Sequence, residues 1–326
     1  MTSEVINRVL SGDVRAAARL MRGIEEGDAA AFETLETLYP HTGKAYFVGV
    51  TGAPGGGKST LVDALIGTFR KREMTVGVVA IDPTSPLTGG AILGDRVRMQ
   101  QHCTDSGVFI RSVATRGWMG GLAKAAAGMM HVMDAMGKDV VLVETVGIGQ
   151  QEVDVTRLAH TSLYVLTPGS GDSIQMMKAG ILEMADIFVI NKADQEGAYR
   201  VRIELEAMMA LQGESPEFST QRQPPILLTE AVHGKGIEEL CHEILKHREF
   251  LTSRGLMEQR EQQRVRLELA EALESALKAL IDSGTDRVLY ESLVEDLVHR
   301  RTGPQAAASQ LIARLPRSWR RTSGTP

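Results

Sequence analysis

The chain has 326 residues, a formal net charge of −5, 43% hydrophobic and only 4% aromatic residues, and two cysteines. That length suits one large α/β domain with an appendage or two modest domains. The acidic balance argues against a nucleic-acid-binding surface, and Cys103 and Cys241 are too far apart in sequence to suggest a disulfide framework. No apolar run is long enough to span a bilayer, and the acid-rich N-terminus lacks the layout of a secretion or organelle signal. The expectation is a cytoplasmic protein with no nucleic-acid or membrane partner.

Residues 3–39 carry helical periodicity in three segments, marked by Val5, Ile6, Val9 and Leu10, by Ala17, Leu20 and Met21, and by Phe32, Leu35 and Leu38. Pro40, His41 and Gly43 end this lead-in. From 45 to about 248 the pattern is strand, loop, helix, repeated, with apolar runs at 45–50, 76–81, 108–113, 139–143, 162–166, 186–190 and 226–228. Near-continuous apolar strands predict a mostly parallel sheet covered by helices on both faces, with ligands at the carboxyl ends of the strands. After 250 a long amphipathic helix is expected over Arg254–Ile281, then helices near 286–300 and 305–315, separated by Gly303-Pro304. Leu267, Ala270, Leu273, Leu277 and Leu280 form a stripe that either covers the parent domain or pairs with a second copy. The expected organisation is an N-terminal helical extension (1–42), an α/β domain (43–250) and a C-terminal helical arm with a disordered tail (251–326).

Gly52-Ala53-Pro54-Gly55-Gly56-Gly57-Lys58-Ser59 satisfies the phosphate-loop pattern G-x-x-x-x-G-K-[ST], between the run 45–50 and the helical pattern starting at Thr60. The order is what a triphosphate requires. Glycines let backbone N–H groups turn inward, the helix N-terminus adds positive dipole, Lys58 reaches the β/γ-phosphates and the Ser59 hydroxyl ligates Mg²⁺. The fold class that follows is a P-loop nucleotide hydrolase.

Asn191-Lys192-Ala193-Asp194 reads N-K-x-D after the run 186–190. Guanine presents N1–H and its exocyclic amine on one edge, and the Asp194 carboxylate can accept both, whereas adenine would leave it unpaired. Asn191 is expected to brace the phosphate loop and Lys192 to stack along the base. Glu144-Thr145-Val146-Gly147 occupies the strand tip where many GTPases carry D-x-x-G, so Glu144 is a candidate Mg²⁺ residue. Ile148 is apolar where a water-orienting glutamine is common, which predicts slow intrinsic hydrolysis; Gln150 is a nearby alternative. Asp82 in Asp82-Pro83 suits either the Mg²⁺ shell or an ordinary turn. Asp95, in the glycine-punctuated stretch 88–96, is a further metal candidate, and Glu230-Ala231-Val232 can offer N–H groups to guanine O6.

Together these segments resemble the MeaB/ArgK family of P-loop GTPases. The strings T-G-G-A-I-L-G-D-R (88–96), E-T-V-G-I-G-Q (144–150) and P-G-S-G-D-S-I-Q-M-M-K-A-G (168–180) carry the resemblance more specifically than the phosphate loop does. It implies a G-protein chaperone for an adenosylcobalamin-dependent acyl-CoA mutase, a homodimer held by the C-terminal helices, and bound GTP or GDP with Mg²⁺. It implies phosphate and metal roles for Lys58, Ser59, Asp82, Asp95 and Glu144, with Lys58, Asp95, Glu144 and Lys178 the catalytic candidates, and a partner-responsive switch at Asp172, Gln175 and Lys178. The guanine loop departs from the family pattern, because Glu230 stands where serine is usual. Two alternatives remain: a kinase or ATPase tied to amino-acid transport, which N-K-A-D opposes, and a nickel-delivery GTPase, which would need a clustered Cys/His site.

Overall fold

The computed structural model describes residues 2–82, 99–102, 104–114, 121–145, 157–169, 182, 184–212, 223–282 and 287–313. Its seven strands are β1 (Tyr46–Gly52), β2 (Val76–Asp82), β3 (Val108–Ala114), β4 (Val140–Glu144), β5 (Thr161–Leu166), β6 (Ile187–Asn191) and β7 (Ile226–Thr229). They form one sheet in the order β3-β2-β4-β1-β5-β6-β7, and every pairing is parallel. All seven apolar runs become strands. Several reach further than the apolar run itself: Val50 pairs with Glu144, Gly52 with Val165 and Asn191 with Thr229. The ladder is a backbone property and continues past the last apolar side chain, so polar residues are carried to the strand tips.

Alternation along the strands divides the core. Phe47, Val141 and Val143 face one side, with Tyr46, Val48, Val50, Val140 and Leu142 on the other. The first side is covered by α1 (Thr2–Leu10), α2 (Val14–Glu26), α3 (Ala29–Leu38) and α5 (Gly121–Ala135), through Leu20, Met21, Ile24, Leu38, Met129 and Met133. The lead-in helices therefore share the sheet's own core. Asp13 accepts the Arg15 and Ala16 N–H groups at 2.8 and 3.0 Å to start α2, and Gly27, at φ 77°, ends it. The second side is covered by α4 (Lys58–Lys71) and α7 (Ile237–Ser253), through Leu61, Leu65, Phe69, Leu240 and Ile244. Leu205 and Met209 of α6 (Ala198–Gln212) pack with Phe188.

The amino edge of the sheet is closed by polar side chains. Arg264, on α8 (Leu256–Asp282), is 3% exposed, ion-pairs with Glu261 and Glu268, and lies 5.2 Å from the Phe47 ring centre. His160 accepts the Phe47 N–H at Nδ1 (3.0 Å), and its Nε2 is 3.4 Å from Glu261. Burial works against the Glu261 charge, but hydrogen bonds from His160 and Arg264 prevail and hold its pKa at about 2. Arg260 and the Ser162 N–H both bond Asp186, at 2.6 and 2.8 Å.

The chain divides into two compact units, Met1–Glu268 and Leu269–Pro326, with the boundary inside α8. The second unit holds the rest of α8, α9 (Arg287–Val298) and α10 (Pro304–Ala313), which starts on a proline whose missing N–H is harmless at that position. Of the predicted leucine stripe, Leu273 and Leu277 are exposed, as is the adjacent Leu269, while the Leu280 side chain lies outside the described residues. No described helix is long and apolar enough to cross a membrane.

Candidate active site

The loop from β1 into α4 is shaped by two glycines. At Gly52 (φ 142°) a Cβ would lie 2.1 Å from the Val165 carbonyl oxygen, so only glycine lets β1 end this close to β5. Gly57 (φ 82°) is the N-cap of α4 and makes no side-chain capping bond; a Cβ there would sit 2.5 Å from Asn191 Nδ2. The helix thus opens with backbone N–H groups that no capping side chain covers, an arrangement suited to an anion.

Lys58 is 6% exposed and donates from Nζ to the Gly52 and Ala53 carbonyls at 2.9 and 3.1 Å. Its ammonium is therefore held over the loop by main-chain acceptors, which a phosphate oxygen can replace. Ser59 Oγ donates to Glu144 Oε1 at 2.6 Å. That contact exists because β4 lies next to β1 and ends with Glu144 opposite Val50, two residues before the end of β1, which brings the buried Glu144 to the first turn of α4. A hydroxyl and a carboxylate oxygen are hard donors of the kind Mg²⁺ takes, so the two residues fit that ion.

Two carbonyls of the same loop are held from the β6 side. Asn191, 2% exposed, donates from Nδ2 to the Gly56 carbonyl (3.0 Å), while its Oδ1 accepts the Thr229 hydroxyl and the Ala231 N–H, each at 3.1 Å. Lys192, at the positive φ of 58°, donates from Nζ to the Gly55 carbonyl at 2.9 Å. The Ala193 N–H bonds the Thr229 carbonyl at 3.0 Å and ties the Asp194 segment to the end of β7. The N-K-x-D segment, the loop after β7 and the phosphate loop are thus one hydrogen-bonded unit.

A family model described as methylmalonyl-CoA mutase-associated GTPase MeaB matches residues 17–286. The chain belongs to this family. A Pyrococcus abyssi protein named as a GTPase is 46% identical over 97% of both chains. GTPase ArgK of Escherichia coli is 36% identical over 80% of each. The mitochondrial methylmalonic aciduria type A homolog of Caenorhabditis elegans is 32% identical, over 67% of this chain and 55% of that protein. A crystal structure of a LAO/AO transport system kinase superposes with a TM-score of 0.70 at 28% identity, covering 96% of each chain. The P-loop GTPase fold read from the sequence is thereby shown.

In this MeaB-family chain the structure brings Gly52, Ala53, Pro54, Gly55, Gly56, Gly57, Lys58, Ser59, Thr60, Glu144, Asn191, Lys192, Asp194 and Glu230-Ala231-Val232 to the carboxyl edge of the sheet. Asp82 closes β2 on that edge, with its side chain outside the described residues. Asp95, Gly147, Ile148, Gln150, Asp172, Gln175 and Lys178 also lie outside them. The N–H groups read as partners of guanine O6 are partly engaged already: that of Glu230 donates to the Lys235 carbonyl (3.0 Å) and that of Ala231 to Asn191. Thr229 and Lys235 went unnoticed in the sequence. A threonine closing an otherwise apolar strand, directly before the guanine loop, was the available signal for the first.

Proposed function

We propose that this chain is a guanine-nucleotide switch serving an adenosylcobalamin-dependent acyl-CoA mutase, loading, protecting or rescuing that enzyme as GTP is bound and hydrolysed. The observation that carries the nucleotide part is the Asn191 junction, which ties the base-reading segment to the phosphate loop. A ligand that touches both ends of this unit is favoured over one that touches either alone. The mutase part rests on the family description and on the name of the nematode relative.

In this reading the α4 N-terminus and the loop N–H groups bind the β- and γ-phosphates, and Lys58 moves from the Gly52 and Ala53 carbonyls onto phosphate oxygens. Asp194 reads the guanine edge. Ser59 and Glu144, with Asp82 and Asp95, would hold Mg²⁺, which when bound neutralises charge between phosphate oxygens. Asp172, Gln175 and Lys178 respond to the partner. The apolar Ile148 leaves the attacking water poorly oriented, so hydrolysis is slow until the mutase completes the site. Leu269, Leu273 and Leu277, exposed on α8, supply an apolar stripe through which two copies pair.

The test is the GTPase rate of the full chain, alone and with each available B12-dependent acyl-CoA mutase. Stimulation by one of them is the expected result, and an unchanged rate with all of them would remove the chaperone role. Binding of GTP against ATP tests the kinase alternative suggested by the LAO/AO-kinase neighbour, and a preference for ATP would favour that alternative.

A further inference from the structure

Glu230 puts a carboxylate, an acceptor and never a donor when ionised, into the loop beside the base-reading segment. The loop is tightly closed. The Glu230 N–H donates to the Lys235 carbonyl at 3.0 Å, and the Lys235 N–H returns to the Glu230 carbonyl at 3.3 Å, forming an isolated antiparallel bridge. Gly236 makes the return possible: at φ 73°, its missing Cβ would lie 2.2 Å from the Leu228 carbonyl oxygen. The bridge sets the two side chains next to each other. Lys235 Nζ is 2.8 Å from Glu230 Oε2, and His233 Nδ1 is 3.3 Å from the same oxygen.

Lys235 also senses the other carboxylate of the site. Its ammonium is stabilised first by the hydrogen bond to Glu230 and further by the charge of Asp194. The Glu230 carboxyl is correspondingly held below its ordinary range, mainly by Lys235. Lys235 is paired with Glu230, and the two carboxylates differ in duty. Asp194 must stay available to guanine N1–H and the exocyclic amine; Glu230 has no such role.

Purines differ at position 6, where guanine carries an acceptor oxygen and adenine a donor amine. A carboxylate with available lone pairs beside that position repels the first and attracts the second. We infer that Lys235 is a specificity-determining residue: by holding the Glu230 carboxylate, it prevents that group from reading a 6-amino purine and so protects guanine selectivity. The inference rests on the guanine reading of the site given above and names the residue that enforces it.

Affinities of the full chain for GDP, IDP and ADP at low ionic strength, in wild type, Lys235→Met, Glu230→Ser and the double variant, provide the test. The Lys235 side chain is exposed and that of Glu230 partly buried, and thermal unfolding checks that each variant folds. Lys235→Met should lower the GDP-to-ADP affinity ratio about fivefold, the upper range for a solvent-screened pair. IDP, which shares the 6-oxo group and lacks the 2-amine, should weaken in step with GDP. Glu230→Ser alone should move the ratio less than Lys235→Met does, and the double variant should regain it to within about twofold. An unchanged ratio in Lys235→Met, or a loss that persists in the double variant, would overturn the inference. So would IDP binding that holds while GDP binding falls, since the effect would then act at the 2-amine edge. Wild-type protein with no preference for GDP over ADP would instead remove the guanine reading itself.

Discussion

At the carboxyl edge of the sheet, Lys58, Asn191 and Lys192 direct their donors to main-chain carbonyls of the loop 52–57. At the amino edge, Arg264, Glu261, Glu268 and His160 bond mostly to one another, around the first residues of β1. Both groups are polar and have buried members, Lys58 and Asn191 at one edge and Arg264 and His160 at the other, but they are satisfied differently. A lysine on a carbonyl can exchange that acceptor for a phosphate oxygen at little cost, because the carbonyl keeps its remaining lone pairs and neighbours. A guanidinium locked between two carboxylates cannot leave without exposing buried charge. The same sheet therefore has one end arranged for a ligand to enter and one end arranged to hold the first part of α8, up to Glu268.

Variants can break this contrast. The largest effect is expected from Arg264→Ala, which leaves Glu261 and Glu268 without their cation: about 3–5 kcal/mol of stability lost in denaturant titration, with per-molecule nucleotide affinity retained in the folded fraction. Lys58→Ala should do the opposite. GTP hydrolysis falls by about 100-fold or more in single-turnover assays, while the unfolding midpoint changes little. Asn191→Ala links the two behaviours, since it strands the Thr229 hydroxyl and the Ala231 N–H and releases the Gly56 carbonyl. It should cost about 1–3 kcal/mol of stability and weaken GTP and GDP together, as equilibrium binding would record.

The smallest effect sharpens the amino-edge side through pH. The folded pKa of Glu261 is about 2, below its ordinary value of 4.5. A depressed carboxyl pKa contributes stability that is fully present above 4.5 and is lost as pH falls from there toward 2. Glu261→Gln should therefore flatten this acid limb of the stability curve, measured by denaturant titration at successive pH values. A limb of unchanged slope would assign the acid sensitivity to other carboxylates.

Much of the carboxyl edge was legible because its chemistry is local in sequence. Phosphate binding needs glycines, a lysine and a hydroxyl within one turn of chain, so residues 52–59 announce it without any tertiary contact. Asn191 could be read for the same reason, from its place after an apolar strand and inside N-K-x-D. Thr229 and Lys235 could not. Their partners, Asn191 and Glu230, are set by the pairing of β6 with β7 and by the bridge that closes the loop after β7. The amino edge gave no signal at all: Phe47 on β1, His160 just before β5 and Arg264 on α8 come from separate parts of the chain, and no pattern relates their positions.

The sequence by itself determined the seven strands, their parallel arrangement, the phosphate loop and the family, because hydrophobic period and short motifs are properties of neighbouring residues. Only the tertiary structure decided that β4 lies next to β1, so that Glu144 meets Ser59, and that the asparagine bracing the phosphate loop also holds Thr229 and Ala231 at the end of β7. It likewise decided that the buried charges around Arg264 find partners. Strand order and burial depend on how distant segments share one core, and that is settled by the packing of the whole chain.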